Sequence, residues 1–366
     1  MMFSLHESGS LLKFSPIIAA LFVLLACFPC WAVPSEPRET GAWAKLPSLE
    51  KTEGFAGAFA GDVEGKLLLA GGANFPNAKP WEGGKKEWYS GVYQLDKNQL
   101  RWELIGHLPR PLGYGVYASY RGQLICVGGS DANQHYADAF SLVINQSILT
   151  RKELPALPKT IANASGALLG STLFVVGGQE TPTSTTALRE VWSLDLSQAE
   201  AVWKIEMPIP GSGRILSTCG SNDEQLFVFG GVELFETNGV VKRKYLQDAY
   251  AYRPGEGWRQ IADVPHPLAA SASPAPTWKN KLYLVSGDDG TQVGKFSPEH
   301  RGFPNSVWAY DVEKNDWTEI DATPAPRVTL PSVQIGADVY FLSGEKTPGI
   351  RSPENWRWNL ETEPKR

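Results

Sequence analysis

The hydrophobic pattern of this chain repeats six times as a short apolar segment that ends in Gly-Gly or Ser-Gly. The segments are LLLAGG, LICVGG, LFVVGG, LFVFGG, LYLVSG and VYFLSG. Their final glycines, at positions 72, 129, 178, 231, 287 and 344, are separated by 57, 49, 53, 56 and 57 residues. A period of ~50 residues predicts one four-stranded unit per repeat, because each unit buries its faces against its neighbours.

Three further strands are predicted around each apolar segment. A Gly/Ala-rich strand precedes it, as in GFAGAFAGD, and an aromatic strand follows it, as in VYQLD and VWAYD. A tryptophan strand then closes most units, at Trp102, Trp203, Trp258 and Trp317. Apolar–polar alternation between Gly, Asn and Asp turns is typical of antiparallel hairpins. The pattern predicts an all-β fold, a six-bladed β-propeller of the kelch type.

The sixth unit lacks a closing strand, because the chain ends shortly after Trp358. Residues 42–46, which contain Trp43, match the closing strands of the other units and precede the first unit. We expect residues 42–46 to pair with the strand near Trp358. The two termini would then complete the last blade and leave no open sheet edge.

Composition and charge restrict the partners of this fold. Hydrophobic residues make up 42% and charged residues 20%, with 13 Trp, 36 Gly and 27 Pro, a mixture that favours strands and turns. Lys and Arg number 34 against 39 Asp and Glu, a formal net charge of -5. The chain therefore offers no general basic surface for nucleic acid or an anionic membrane.

The N-terminus has the pattern of an export signal. Lys13 precedes an apolar run at 16–27, and small residues follow up to Ala32. This run is shorter than the roughly 20 apolar residues that span a bilayer, so we expect a cleaved signal peptide at 1–32 and one periplasmic propeller domain at 33–366. The sequence LLAC at 24–27 also resembles a lipoprotein cleavage box, which would leave the mature chain lipid-anchored through Cys27.

Cysteines and histidines predict neither a disulfide framework nor a metal site. Cys126 and Cys219 lie in apolar strands of different repeats, which indicates two buried thiols. The mature chain's four histidines are in separate repeats without ligand spacing, and no nucleotide or nucleophile motif occurs. We expect no metal and no cofactor. A copper radical oxidase, which also uses kelch blades, would need more His and Tyr ligands.

A functional site is expected at one mouth of the propeller. The loops between the second and third strands are long, at 73–89, 130–137, 179–188, 232–246, 288–304 and 345–353, and they emerge on the same face as the links between blades. These loops and links bring ionisable residues to one mouth: Glu180, Glu233, Asp288, Asp289, His300, Arg301, Glu345, Arg351, Arg110, Arg214 and Arg327.

Two segments resemble the N-acetylneuraminate epimerases, or sialic acid mutarotases, which are exported bacterial kelch propellers. GFAGAFAGDVEGKLLLAGGANFP at 54–76, continuing to KKEWYSGVYQLD, is similar to one blade of that family. SGEKTPGIRS at 343–352 is similar to its G-E-x-x-P-G-L/I-R loop. In the best-known members the Glu loop precedes the other segment, whereas here it comes last. The chain therefore resembles a cyclically permuted branch of the family. Its link at 109–115 departs from the family pattern, so that Arg110 lies slightly away from the position of the family's arginine.

The resemblance implies cofactor-free sugar mutarotation, in which a base removes the anomeric proton and an acid protonates the ring oxygen. By the family pattern Glu345 is the proton acceptor, and Arg351 binds the sugar carboxylate or stabilises negative charge. The expected substrate is a sialic acid or a related acidic sugar. Further expected contacts to this substrate are Asn74, Lys86, Tyr114, His300, Arg110, Arg214 and Arg327.

Two alternatives stay open at the level of sequence. The chain can be a non-enzymatic propeller that binds a glycan or protein through the same mouth, and Glu345 can be an ordinary loop ion pair with Lys346 or Arg351. An enzyme is expected to present Glu345 and Arg351 at a pocket of sugar size, whereas a binding module would show a broad rim. A permuted relative can also act on a different sugar.

Overall fold

The computed structural model describes residues 42–96 and 100–362. This part of the chain is all-β, and its main elements are six antiparallel sheets of four strands each. We number the sheets 1 to 6 by the order of their first strands after residue 50. The predicted signal peptide and Cys27 lie outside the described residues. No helix within the described ranges is long and apolar enough to cross a membrane.

The first described strand is β1 (Trp43–Leu46), which joins the last sheet. Sheet 1 comprises β2 (Phe59–Val63), β3 (Lys66–Ala70), β6 (Gly91–Asp96) and β7 (Arg101–His107), with a small hairpin of β4 (Ala73–Asn74) and β5 (Glu87–Trp88) in its long loop. Sheet 2 comprises β8 (Val116–Tyr120), β9 (Gln123–Val127), β10 (Ala139–Asn145) and β11 (Ile148–Leu154). Sheet 3 comprises β12 (Ser165–Leu169), β13 (Thr172–Val176), β14 (Val191–Asp195) and β15 (Lys204–Ile205).

The second half of the chain repeats this order. Sheet 4 comprises β16 (Thr218–Ser221), β17 (Leu226–Thr237), β18 (Val240–Arg253) and β19 (Gly257–Ile261). Sheet 5 comprises β20 (Thr277–Trp278), β21 (Lys281–Val285), β22 (Ser306–Asp311) and β23 (Asp316–Ala322). Sheet 6 comprises β24 (Ser332–Ile335), β25 (Asp338–Leu342), β28 (Asn355–Asn359) and β1, with a small hairpin of β26 (Glu345–Thr347) and β27 (Ile350–Arg351). Short 3-10 turns occur at Pro80–Glu82 and Leu360–Thr362.

The predicted pairing of the two termini is present. β1 runs antiparallel to β28, with Trp43 opposite Trp358, and supplies the fourth strand of sheet 6. The two indole rings stack, and the Trp43 Nε1–H also donates a 2.8 Å hydrogen bond to Asp321 in sheet 5.

The hydrophobic core lies between successive sheets. Six large clusters of buried side chains occur in the described residues, and each joins two neighbouring sheets. One of them joins sheet 6 back to sheet 1, where Leu342 packs with Leu69 and Phe55. Face-to-face packing of four-stranded sheets in this cyclic order is consistent with a β-propeller.

The diglycine segments have a backbone that explains their composition. Gly71 and Gly72 both have positive φ, 66° and 90°, and a Cβ atom on Gly71 would lie 2.1 Å from the carbonyl oxygen of Leu112. Ser343, at the first position in sheet 6, adopts φ 58°, and its hydroxyl accepts the Phe55 N–H. These residues turn the chain sharply at a strand end, which requires positive φ and little side-chain volume.

Two details of the sequence analysis need correction. The segment 232–246 is not a loop, because β17 and β18 continue past the sheet as one long hairpin that turns after Thr237. Trp203 immediately precedes β15 rather than lying within it. The two thiols are free and buried, as predicted, and burial raises the pKa of Cys219 to about 12.

Candidate functional site

Six backbone segments, one from each sheet, are joined by hydrogen bonds into a cycle at one end of the fold. Each N–H donates to the carbonyl of the preceding member, at 2.7 to 3.2 Å, and the first N–H donates to the carbonyl of the last. All six members have positive φ, from 47° to 65°. They are Gly57, Tyr114, Asn163, Leu216, Ala270 and Thr329. Five are not glycine, so left-handed geometry costs roughly 1–3 kcal/mol each and indicates a constrained site.

A second set of six positions stands directly outside this cycle. In each sheet the residue after the diglycine forms a bridge with the residue before the cycle member. For sheet 6 this is Glu345, whose N–H and carbonyl bond to Val328 at 2.9 and 3.0 Å. The equivalent residues are Ala73, Ser130, Gln179, Val232 and Asp288. The bridge therefore fixes the Glu345 backbone relative to the cycle. Asp288 occupies the same position in sheet 5 and is the other acidic residue of this set.

Glu345 and Arg351 form an ion pair. Arg351 Nη1 lies 2.6 Å from Glu345 Oε1, and the same oxygen accepts the Gly349 N–H at 2.8 Å. The pairing of β26 with β27 brings Glu345 opposite Arg351. The glutamate side chain is 17% exposed, whereas the arginine is 2% exposed. Solvent and small molecules can therefore reach the carboxylate but hardly the guanidinium.

Arg351 is held by several groups of the protein. Its Nε donates to the carbonyl of Ala73 at 3.2 Å, and the guanidinium lies 5.3 Å from the ring centre of Phe75. Burial lowers its pKa, but interactions with Glu345 and Tyr114 outweigh burial and raise the pKa above its usual value. The arginine is therefore charged at every working pH and acts on Glu345 and Tyr114.

Aromatic residues from two other sheets cover the loop that carries this pair. A Cβ atom on Gly349 would lie 2.6 Å from Pro80 and 3.2 Å from Trp81. Trp81 contacts Phe296 with ring centres 5.7 Å apart, and both side chains are about 40% exposed. The long loops of sheets 1 and 5 thus meet beside the loop of sheet 6.

A small pocket of about 70 Å³ opens at the cycle. All six cycle members line it, together with serines of sheets 3, 4 and 5. Tyr117 lines both this pocket and a second one on its far side, and the Tyr117 hydroxyl donates to the carbonyl of Ser273. The tyrosine therefore forms a floor, and burial raises its pKa so that it stays protonated. This volume is well below that of usual small-molecule sites, about 300–1,000 Å³, so the pocket alone does not enclose a sugar.

A more polar pocket lies beside the first and shares Tyr114 and Asn163 with it. The Lys86 ammonium lies 5.0 Å from the ring centre of Tyr114 and 5.3 Å from that of Trp88. The other polar residues in the lining are Ser130, Asp131, His135 and Gln179. Lys86 and Tyr114, both predicted from the sequence, are therefore brought together. Glu345 and Arg351 line neither pocket, so the expectation that an enzyme presents both at a pocket of sugar size is not met. Tyr114 lines both pockets and interacts with Arg351.

His300 is nearly buried near the acidic side of the mouth. Its Nδ1 accepts the Gly302 N–H at 3.1 Å, so the neutral ring carries its proton on Nε2. The ring contacts Phe303, which clusters with Val328, the bridge partner of Glu345. Burial lowers the pKa of His300, while Asp288 and Glu345 act to raise it.

Three predicted substrate contacts are used within the protein. Arg214 is fully buried and pairs with Asp248 at 2.9 Å. Arg327 is also buried and pairs with Glu354 at 2.8 Å. Asn74 bonds to the Gly54 carbonyl and the Tyr89 hydroxyl. This geometry places none of these three side chains in the lining of either pocket.

The link cations follow a common pattern that explains their positions. Arg110 pairs with Asp138 at 2.7 Å and lies over the ring of Tyr136, and Lys159 pairs with Glu190 at 3.0 Å. In each case, as with Arg214 and Arg327, a cation of the link meets an acid that directly precedes the third strand of the next sheet or, for Asp248, lies within it. These pairs attach links to sheets, which is a structural use of the charges.

Sequence reasoning missed several residues of the mouth. Asn163, Gln179 and His135 line the polar pocket, and the Tyr245 hydroxyl donates to Asp288 at 2.6 Å. Aligning the six repeats on their diglycines would have identified Gln179, because it follows the diglycine directly, as Asp288 and Glu345 do. His135 and Tyr245 come from loops of unequal length, where such an alignment fails. Within the described residues no group of three or more His, Cys, Asp or Glu could hold a metal ion.

The fold and this mouth define an all-β protein, consistent with a β-propeller, that carries an ion-paired, partly exposed carboxylate at the mouth. Residues 38–150 match the family model of N-acetylneuraminate epimerase. The predicted resemblance to that family is confirmed, and the matched segment covers β1, sheet 1 and most of sheet 2. Glu345 and Arg351 lie outside it.

Curated relatives carry the same name. The N-acetylneuraminate epimerase of Salmonella enteritidis PT4 is 41% identical over 95 residues, 24% of this chain and 24% of the relative. That of Salmonella arizonae is 40% identical over 95 residues, with the same coverage of both chains. N-acetylneuraminate epimerase 1 of Escherichia coli O6:H1 is 38% identical over 96 residues, 24% of this chain and 25% of the relative. The chain thus spans about a quarter of the length of the relatives it matches.

Proposed function

We propose that this protein is a sugar mutarotase that interconverts the anomers of N-acetylneuraminate or a related acidic sugar. The observation that carries the proposal is the Glu345–Arg351 ion pair, with the carboxylate partly exposed beside a pocket lined by Tyr114. The epimerase names of the relatives support an isomerase-type enzyme.

The proposed scaffold is a closed six-bladed kelch propeller, cyclically permuted relative to the best-known members of the family. The support is the cycle of six hydrogen bonds, in which Gly57 N–H donates to Thr329 at 3.2 Å. Pairing of Trp43 with Trp358 supports the placement of both termini in one blade. Moving the point at which the chain enters and leaves the ring does not change which blades are neighbours, so the same residues line the mouth.

In the proposed reaction Glu345 accepts the proton of the anomeric hydroxyl. As that O–H bond breaks, the electron pair forms the carbonyl, the bond from the anomeric carbon to the ring oxygen breaks, and an acid protonates this oxygen. Rotation of the open chain and reclosure on the other carbonyl face give the second anomer. Each proton is returned on closure, so the reaction needs no cofactor.

Arg351 is a positioning residue in this proposal. Its ion pair with Glu345 Oε1 and the Gly349 N–H on the same oxygen hold the carboxylate and leave Oε2 for the substrate. A carboxylate held in one orientation loses little entropy when it accepts the proton.

Proton NMR of anomer exchange tests the function with purified native protein, Glu345→Gln and Glu299→Gln. Glu299 is an exposed carboxylate of the sheet 5 loop and serves as the control. We expect native protein and the control to accelerate exchange, and Glu345→Gln to lose about 10²–10⁴-fold. No acceleration by native protein would refute the function, and a fully active Glu345→Gln would refute the role of Glu345. Binding of N-acetylneuraminate without acceleration would favour the non-enzymatic glycan-binding module.

Export to the periplasm is part of the proposal and rests on the apolar run at 16–27. Mass spectrometry of the mature N-terminus distinguishes cleavage after Ala32 from lipidation at Cys27. An unprocessed N-terminus in the cytoplasmic fraction would contradict export.

A further inference from the structure

The mouth contains a cation that the proposed reaction has not used. An acidic sugar carries a carboxylate that is ionised at neutral pH, and selective binding requires a positive group that the ligand can reach. Arg351 is a poor candidate, because its side chain is 2% exposed and contacts Glu345 and Ala73. A guanidinium this deeply buried offers almost no surface to a second carboxylate.

Each of the link arginines also pairs with a carboxylate of the protein. Arg214 and Arg327 are buried against Asp248 and Glu354, and Arg110 pairs with Asp138. A substrate carboxylate cannot reach Arg214 or Arg327, and at Arg110 it would compete with Asp138. The three link arginines that were expected to contact the substrate are therefore used by the fold itself.

Lys86 differs from these arginines in its position in a pocket wall and in its lack of a carboxylate partner among the described residues. It is half-buried in the wall of the polar pocket and forms no ion pair with any described residue. The faces of Trp88 and Tyr114 lie 5.3 and 5.0 Å from its ammonium. Aromatic faces attract a cation and limit its hydration without neutralising it, so the charge remains available to an anion.

The nearest acid of the same pocket is satisfied elsewhere. Asp131 accepts the hydroxyl of Tyr136 at 2.5 Å and the N–H groups of Asn133 and Gln134. His135 donates from Nδ1 to the Gln179 carbonyl at 2.8 Å, and burial lowers its pKa, so its neutral ring offers Nε2 as an acceptor. The pocket therefore combines one free cation, among the described residues, with neutral partners for hydroxyl groups.

Tyr114 connects this pocket to the proposed reaction. Its ring lies against Lys86, its backbone belongs to the cycle, and it interacts with Arg351. A Cβ atom on Gly57 would lie 2.5 Å from this ring, so the glycine makes room for it. A sugar beside Tyr114 can thus reach towards Lys86 on one side and towards the Glu345 pair on the other.

We propose that Lys86 is the specificity-determining residue that binds the carboxylate of the sugar, while Arg351 serves Glu345. This inference rests on the proposed function and changes the role that the sequence suggested for Arg351. It predicts that selectivity for acidic over neutral sugars resides in sheet 1, separate from the catalytic loop of sheet 6.

The test compares N-acetylneuraminate with its uncharged methyl ester. Anomer exchange is measured by proton NMR for native protein, Lys86→Met, Lys86→Arg and the control Lys85→Met, which removes the exposed neighbouring lysine. We expect Lys86→Met to raise KM for the acid at least tenfold, with kcat within about twofold and the ester unaffected. Lys86→Arg should stay within about threefold of native protein for both sugars, and Lys85→Met should be unchanged.

Equal losses for acid and ester, or no loss in Lys86→Met, would overturn the proposal. If native protein does not accelerate exchange, the proposed function fails, and calorimetric binding of acid and ester then decides the role of Lys86 independently. The proposal would be supported if native protein binds the acid more tightly than the ester and Lys86→Met loses this preference. Equal binding of acid and ester by native protein, or no binding of either, would refute it.

Discussion

The indole rings of Trp43 and Trp358 stack with centres 5.2 Å apart and planes within 5° of parallel. One ring comes from the first described strand and the other from the last, so the contact joins residues more than three hundred positions apart in the chain. The edge of Tyr283 from sheet 5 meets Trp358 on another side. The ends of the described chain are thus part of the core between sheets 5 and 6.

Loss of this contact should destabilise the whole fold. We expect Trp43→Ala to lower the free energy of unfolding by about 3–5 kcal/mol, because it removes a buried ring and its hydrogen bond to Asp321. Trp81→Ala is the control, since Trp81 is exposed and should change stability by less than about 1 kcal/mol. Urea unfolding followed by circular dichroism measures both. Equal effects would show that the terminal strand is not part of the cooperative core.

Arg214 should act on stability rather than on substrate binding. Removing its guanidinium leaves Asp248 without its partner next to a buried site, so we expect Arg214→Met to lower the free energy of unfolding by about 3–5 kcal/mol. Arg253→Met, which breaks an exposed pair with Glu224, should cost less than about 1 kcal/mol. The KM of the remaining folded protein should equal that of native protein. A stable Arg214→Met with a raised KM would instead restore a role in substrate binding.

Arg351 should couple to Glu345 in both stability and activity. Arg351→Met is expected to lower the free energy of unfolding by about 3 kcal/mol and to reduce kcat, since the carboxylate loses its buried partner. In combination with Glu345→Gln the further loss should be small, because both changes remove the same interaction. A double-mutant cycle in urea unfolding and NMR exchange measures this coupling. Additive losses would mean that Arg351 acts independently of Glu345.

Two buried histidines predict the direction of the pH dependence of stability. Burial lowers the pKa of His135 and His300 in the folded state, so between the folded pKa and about 6.5 the unfolded state binds more protons. Stability is therefore fully present above pH about 6.5 and falls as the pH drops below it. Replacing both residues with Gln should flatten this slope, whereas His107→Gln, at an exposed site, should not. Urea unfolding between pH 5 and 8 is the measurement, and an unchanged slope would contradict the assignment.

Much of the fold followed from local pattern. The diglycine segments, the alternating strands and the pairing of residues 42–46 with Trp358 were predicted because strand period and turn chemistry are encoded over a few residues. The ends of elements were less predictable. The extended hairpin after Gly231 looked like a loop, because its exposed residues do not alternate as a half-buried strand does.

The residues of the candidate site also include some that the sequence predicted and some that it did not. Glu345 and Arg351 were expected to lie together, since a Pro-Gly turn separates them by few residues, and the structure pairs them. The sequence did not separate Arg214 and Arg327, whose charges are buried in ion pairs, from Lys86, which has no carboxylate partner in the described chain. In the sequence, each of these three residues is simply a charged residue in a link or loop, so the sequence pattern does not distinguish them.

The sequence by itself therefore determined the repeating unit, the strand pattern and the small loop that carries Glu345 and Arg351, because these depend on contacts between near neighbours. Only the tertiary structure decided which side chains face a pocket and which are neutralised inside the protein. That choice depends on residues from other sheets, such as Asp248 for Arg214 and Tyr114 for Lys86, and these meet only when the sheets pack. Burial and charge pairing are properties of that packing, so no local pattern encodes them.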